Sequence, residues 1–148
     1  NNLNIISKDI DRPWGGFYLI HESQAQNFSS LFFNNLDVSK LSLSGKLSPK
    51  ILVIKPKKRL SWQYHYRRSE IWSVIKGSIK VIKNNNDTEK DEFILNEGDQ
   101  IKIKKEERHR IIGTDKYALV AEMWIHTDKD NPSDEEDIVR VQDDFNRK

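Results

Sequence analysis

The sequence predicts an all-β fold, a barrel or sandwich closed around one core, and three observations predict it. From residue 50 onward the chain divides into eight short runs rich in Ile, Val, Trp and Tyr, residue types that suit a pleated, half-buried surface. Turn-forming residues stand between them: Gly77, the run Asn84-Asn85-Asn86-Asp87 and the triplet Glu97-Gly98-Asp99. Helical spacing is confined to residues 24–47, where Phe28, Leu31, Phe32 and Leu36 recur at the period of an α-helix.

Taken in order, residues 16–21 alternate and read as a strand. A short helix is expected near 28–34, followed by irregular chain. Strands are expected at 50–55, 59–65, 70–76, 78–83, 92–95, 100–104, 109–112 and 117–126. Asn131-Pro132-Ser133-Asp134 marks a turn or helix start, and 137–141 a short strand or docked extension. No repeat and no long linker divides the chain, so one domain spanning 1–148 is expected.

Composition narrows the function classes. The net charge is +2, from 25 Lys and Arg against 23 Asp and Glu, too balanced to imply a nucleic-acid or membrane partner. Basic residues concentrate before about Arg110, and the stretch 128–144 is acidic; a basic centre suits an anionic small molecule, and a solvated mixed surface fits equally. With no cysteine, disulfides and thiolate metal sites are excluded. No apolar run approaches the ~20 residues that span a bilayer. Residues 1–10 lack the charged and apolar regions of a signal peptide, so a cytoplasmic protein is expected.

Four residues converge on metal chemistry. Gln63 and His65 are two apart and share one face of a strand. Glu70 follows after a short polar stretch that can turn the chain, and His109 after one strand more. Three separated segments thus offer four nitrogen and oxygen donors, a way for an antiparallel barrel to hold a metal without cysteine. A lone strand His is more often a hydrogen-bonded or surface residue. Agreement of spacing, parity and turn positions is what favours the ligand reading.

Gln63-Tyr64-His65-Tyr66-Arg67-Arg68-Ser69-Glu70 through Gly77 resembles the first cupin motif, with Gln63 where its first His stands, and Gly98 through His109 resembles the second. The motif's Pro and second Gly are Lys104 and Glu106 here, and its trailing Asn is Gly113; these positions form turns and spare the ligands. The Gln resembles the type II mannose-6-phosphate isomerase domain, also found at the C-terminus of mannose-1-phosphate guanylyltransferases. Arg12-Pro13-Trp14-Gly15 resembles that domain's opening motif, and Leu60-Ser61-Trp62-Gln63-Tyr64-His65 through Trp72 its metal segment. Asp137-Ile138-Val139-Arg140 with Asp144-Phe145-Asn146-Arg147 resembles its closing motif. Tyr66 and Arg67 replace two of the three consecutive His the family often carries. Residues 27–48 have no counterpart in the minimal domain, and a helix there is expected to cap the barrel, alter the pocket or support dimerisation.

The resemblance implies a single-domain cupin, a double-stranded β-helix or jelly-roll barrel, with a short helical insertion. It implies one divalent metal, zinc first and Mn, Fe, Ni or Co also fitting, on Gln63, His65, Glu70 and His109. It implies a phosphorylated sugar as substrate, mannose-6-phosphate and fructose-6-phosphate the first pair, and a homodimer. Aldose–ketose isomerisation moves a proton between adjacent carbons, so it needs a base, and an oxyanion stabiliser such as a metal. Lys50, Arg110 and Glu122 are the catalytic candidates, Glu122 equally a carboxylate that holds a ligand or an Arg. Arg12, Arg68, Trp72 and Arg140 are the substrate-binding candidates. For each cation, an ordinary salt bridge is the competing role. Beside the isomerase stands a non-catalytic metal-containing sugar-binding or regulatory cupin, which would bind without proton transfer.

Overall fold

The computed structural model describes residues 3–41 and 46–147. Its strands are β1 (Ile5–Arg12), β2 (Gly15–Ile20), β3 (Lys50–Ile54), β4 (Trp62–Tyr64), β5 (Arg68–Lys76) and β6 (Ile79–Asn84). They continue with β7 (Phe93–Leu95), β8 (Gln100–Ile103), β9 (Arg108–Gly113), β10 (Ala118–His126) and β11 (Val139–Gln142). One helix, α1 (Ala25–Phe32), and two 3-10 turns complete it. Two antiparallel sheets face each other, in the orders β1-β2-β3-β10-β5-β8 and β11-β4-β9-β6-β7. Chain neighbours repeatedly fall in different sheets, as a jelly roll requires.

Period-2 alternation decides what each face of the larger sheet touches. On β3, β5 and β10 the inward residues include Leu52, Ile54, Trp72, Val74, Ala118 and Val120, which join Ile79, Val81, Ile103 and Ile111 of other strands in one apolar cluster. The alternate residues Ile51, Ile71, Ile75, Ala121 and Met123 point out of the barrel and pack against Phe28, Phe32 and Phe33. The insertion therefore covers the back of the sheet. The buried outward-facing Ala121 and Met123 explain why β10 reads as an almost unbroken apolar run.

The helix starts earlier and ends sooner than the spacing predicts. A 3-10 turn at Glu22–Gln24 leads straight into it. Asn34 and Asn35 then take left-handed backbone angles, φ 55° and 61°, which end the helix before residue 34. Residues 42–45 of the expected irregular stretch lie outside the described residues. The expected strand at 59–65 is mostly irregular; Arg59 makes an isolated bridge to Ile112 and only Trp62–Tyr64 is extended. β1 carries no sequence signal because it pairs only with β2 and most of its residues are exposed, so nothing imposes an apolar period.

The turn between β1 and β2 brings the opening motif to the barrel mouth. At Gly15, φ is +143° and a Cβ would stand 1.8 Å from the Val53 carbonyl oxygen, so only glycine fits there. That approach carries Trp14 into the core and sets Arg12 at the rim.

Candidate metal centre

His65, just past β4, Glu70 on β5 and His109 on β9 are all buried, and one donor atom of each lies within 4.8 Å of the others. The hydrogen bonds of the imidazoles set their tautomers. His65 Nδ1 donates to the Asp137 carbonyl at 2.7 Å and His109 Nδ1 to the Glu107 carbonyl at 2.8 Å. Each ring therefore carries its proton on Nδ1 and presents the Nε2 lone pair inward. The two Nε2 atoms stand 3.3 Å apart with no proton to share, so lone pair faces lone pair. Glu70 Oε2 lies 3.3 Å from His65 Nε2, and Oε1 lies 3.8 Å from His109 Nε2. Donors held about 2.0–2.1 Å from one tetrahedral ion stand roughly 3.3–3.4 Å apart. The donor set and its spacing fit a shared divalent cation.

Gln63 is in register with His109 across β4 and β9 and lines the same cavity. Its amide nitrogen donates to the carbonyl and hydroxyl of Ser61, which leaves the amide oxygen as its donor atom. Arg68 adds a feature that spacing does not reveal. Its Nε donates to Glu70 Oε2 at 2.8 Å, Nη1 to the Ser133 hydroxyl and Asp134 carbonyl, and Nη2 lies 3.2 Å from His65 Nε2. A guanidinium thus rests on two of the three charged or imidazole donors, its plane 3.6 Å from the Trp124 ring centre.

Burial pushes His65 down to about 3, and the Glu70 charge offsets only part of that. His109 is lowered, again first by burial. Burial alone would raise Glu70, but the Arg68 guanidinium hydrogen-bonded to it outweighs that and holds the carboxyl below the usual range. At neutral pH the donors are two neutral imidazoles and a carboxylate, the forms that bind metal.

One rung away the electrostatics reverse. Glu122 on β10 is pushed up to about 8 by burial, with the Glu70 charge adding and Lys50 opposing. Its Oε2 accepts from Trp72 Nε1 at 2.9 Å and its Oε1 from Trp124 Nε1 at 2.8 Å. Trp72 Nε1 also reaches Glu70 Oε1 at 3.1 Å, so one indole bridges the two carboxyl groups. Trp72, expected to contact substrate, is 2% exposed and spends its N–H on this bridge.

Lys50 stands beside Glu122 in register, its ammonium 3.9 Å from the Trp124 ring centre and paired to Glu135 at 2.6 Å. Arg12, Arg140 and Arg147 line the rim. Arg140 is lowered first by burial and then by the charges of Arg147 and Arg12. Arg110, a catalytic candidate from the sequence, reaches the cavity wall. Its Nε donates to the Leu60 carbonyl, Nη1 to Glu89 and Nη2 to Gln142, which pins three segments together around a fully buried guanidinium. The cavity these groups enclose measures about 100 Å³.

Sequence reasoning missed Asp137 as an organiser: its carbonyl locks His65, and its carboxylate accepts from the backbone N–H groups of Tyr66 and Arg67. It also missed Glu135 at the rim. Glu135 sits in a stretch noted for its charge alone, and Asp137 reads in the sequence as the start of the closing motif, without a role at the site.

Two facing antiparallel sheets with a His–Glu–His donor set inside the barrel define a cupin. Residues 32–143 match the family model described as Mannose-6-phosphate isomerase C-terminal, and the chain belongs to that family. Alginate biosynthesis protein AlgA of Pseudomonas aeruginosa is 26% identical over 125 residues, 84% of this chain and 24% of that protein. The chain thus spans about a quarter of that relative's length. Among solved structures, the capsular polysaccharide assembling protein CapF of Staphylococcus aureus superposes with TM-score 0.62 at 14% identity, covering 96% of this chain and 32% of that one. An oxalate decarboxylase of Bacillus subtilis does so with TM-score 0.62 at 14% identity, covering 90% and 30%. These two likenesses establish the fold. No helix among the described residues is long and apolar enough to cross a membrane.

Proposed function

We propose that this domain is a metal-dependent isomerase that interconverts an aldose phosphate and a ketose phosphate, mannose-6-phosphate and fructose-6-phosphate being the first pair to test. The reading rests on one observation: a buried carboxyl, Glu122, tied by a single indole N–H to a His–Glu–His donor set. His65, Glu70 and His109, with the Gln63 oxygen, would hold the ion, zinc first by spacing and ligand type. A divalent ion there would polarise a substrate carbonyl and stabilise the negative charge that develops on its oxygen. Glu122, in its ionised form, would take the proton from one carbon and return it to the neighbouring one, and a pKa raised toward the working pH suits a group that must both accept and release a proton. Trp72 and Trp124 orient that carboxyl. Arg110 holds the wall and moves no proton. A cavity of this size admits the reacting end of a sugar and leaves its phosphate at the rim, among Arg12, Arg140 and Arg147.

The Arg68 contacts favour a second reading, a sugar-binding barrel without catalysis, because a guanidinium already neutralises Glu70 and covers His65 Nε2. One experiment separates the two. Protein loaded with zinc or manganese is incubated with fructose-6-phosphate in deuterated water, with His65→Ala and Glu122→Gln alongside. Deuterium entering at the carbon beside the carbonyl, and abolished in both variants, supports the isomerase. Binding without deuterium uptake rejects it in favour of the binding module.

A further inference from the structure

We propose that Glu135 is a tethered anion occupying the seat of the ligand's anionic end, and that binding displaces its side chain from Lys50. This rests on the proposed function only for the ligand's carrying a phosphate. The pair is one-sided: the Lys50 side chain is 3% exposed, whereas that of Glu135 is 53% exposed and reaches inward from solvent. Among the described residues Glu135 is the one acid in ion-pair contact with Lys50; Glu70 is bonded to Arg68 and Glu122 to the two indoles. Glu135 also acts on Arg140, whose charge it stabilises. Its carboxylate therefore pairs with Lys50 and acts electrostatically on Arg140, two of the cations that line the cavity.

Most cations lining the cavity already have a partner: Arg12 pairs with Asp9, Arg68 with Glu70, Arg110 with Glu89 and Arg147 with Asp143, while the partner of Lys50 is the half-exposed Glu135. A phosphate presents several oxygens and can engage Lys50 and rim guanidiniums together, which one carboxylate on a short tether does less well. Glu135 lines both this cavity and the outer groove beside Ser7–Asp11, so it stands between the site and solvent.

The backbone around it does not need to move. Ser133 is fully buried, its N–H donating to His126 Nδ1 and its hydroxyl to Asp137, while Arg68 holds the Asp134 carbonyl. With both sides of Glu135 anchored, displacement is a side-chain rotation, which returns a half-exposed carboxylate to water.

The test is calorimetric titration of the full chain with inorganic phosphate, fructose-6-phosphate and unphosphorylated fructose, for the parent protein, Glu135→Gln, Glu135→Ala and Lys50→Met. The expected result is phosphate and fructose-6-phosphate affinity raised about tenfold by both Glu135 variants, the scale of removing one competing charge. Fructose affinity should stay unchanged, and Lys50→Met should lose the gain. Unchanged phosphate affinity in the Glu135 variants overturns the proposal and makes the pair purely structural. Weaker fructose-6-phosphate binding overturns it too, because Glu135 would then be a ligand contact. Phosphate titration involves no turnover, so absent deuterium exchange with the tenfold gain intact rejects the isomerase and leaves this inference standing.

Discussion

At Val120 the barrel interior is hydrocarbon, flanked by Leu52 on β3 and Val74 on β5. At Glu122, one inward rung along the same strand, the flanking residues are Lys50 and Trp72. Both rungs are sealed from water: Val120 is 0% and Glu122 6% exposed. The lower rung is stabilised by burial itself, at about 25 cal/mol per Å² of apolar surface. The upper rung gains little that way, because a buried charge costs free energy unless partners compensate. There each polar atom has a named partner: both Glu122 oxygens have an indole N–H, and Glu70 has Arg68. One half of the barrel holds the fold together so that the other half can keep charged groups in a dry cavity.

Glu70→Ala tests that division most severely. It leaves Arg68 buried beside two imidazoles without its counter-charge, and the expected cost is about 3–5 kcal/mol in urea denaturation. Metal content measured on the same preparation should fall to background. Ile54→Ala, in the lower half, should cost about 2–5 kcal/mol through a cavity. Its metal content should match the parent, and a loss of metal would show that the halves are not separable.

The smallest effect is a change of slope. The Glu122 carboxyl keeps its proton in the folded state up to about 8 against 4.5 as its ordinary value. The folded chain thus holds a proton that the unfolded chain has released, and the stability this adds is complete below about 4.5 and disappears as pH rises through about 8. Glu122→Gln cannot titrate, so between those values its stability should fall less steeply with pH than the parent's. Parallel curves in metal-free protein would place the carboxyl at an ordinary pKa and weaken its assignment as the base.

Much of the architecture was legible because it is local. Alternation at Lys50, Leu52 and Ile54 announces which side chains face inward, since the two-residue period belongs to the strand itself; residues 118–126 form an almost unbroken apolar run, and only packing assigns their faces. The same parity brought the donors on β5 and β9 into the barrel. The strand expected through His65 was less accurate, because β4 ends at Tyr64 and His65, just past it, is positioned by the Asp137 carbonyl, 72 residues away. From the sequence the insertion is expected to cap the barrel, alter the pocket or support dimerisation; its helix packs on the back of the larger sheet, over outward Ile51, Ile71 and Met123.

Sequence by itself determined the strand-rich class, the inward and outward faces, and the residue types able to hold a metal. Tertiary structure alone decided the partners: Arg68 on Glu70, two carbonyls on the His Nδ1 atoms, Trp72 between two acids, Glu135 on Lys50. The physical reason is range. Alternation is a property of neighbouring residues, whereas the charge state and aim of a buried group depend on side chains that meet only when distant strands close into a barrel.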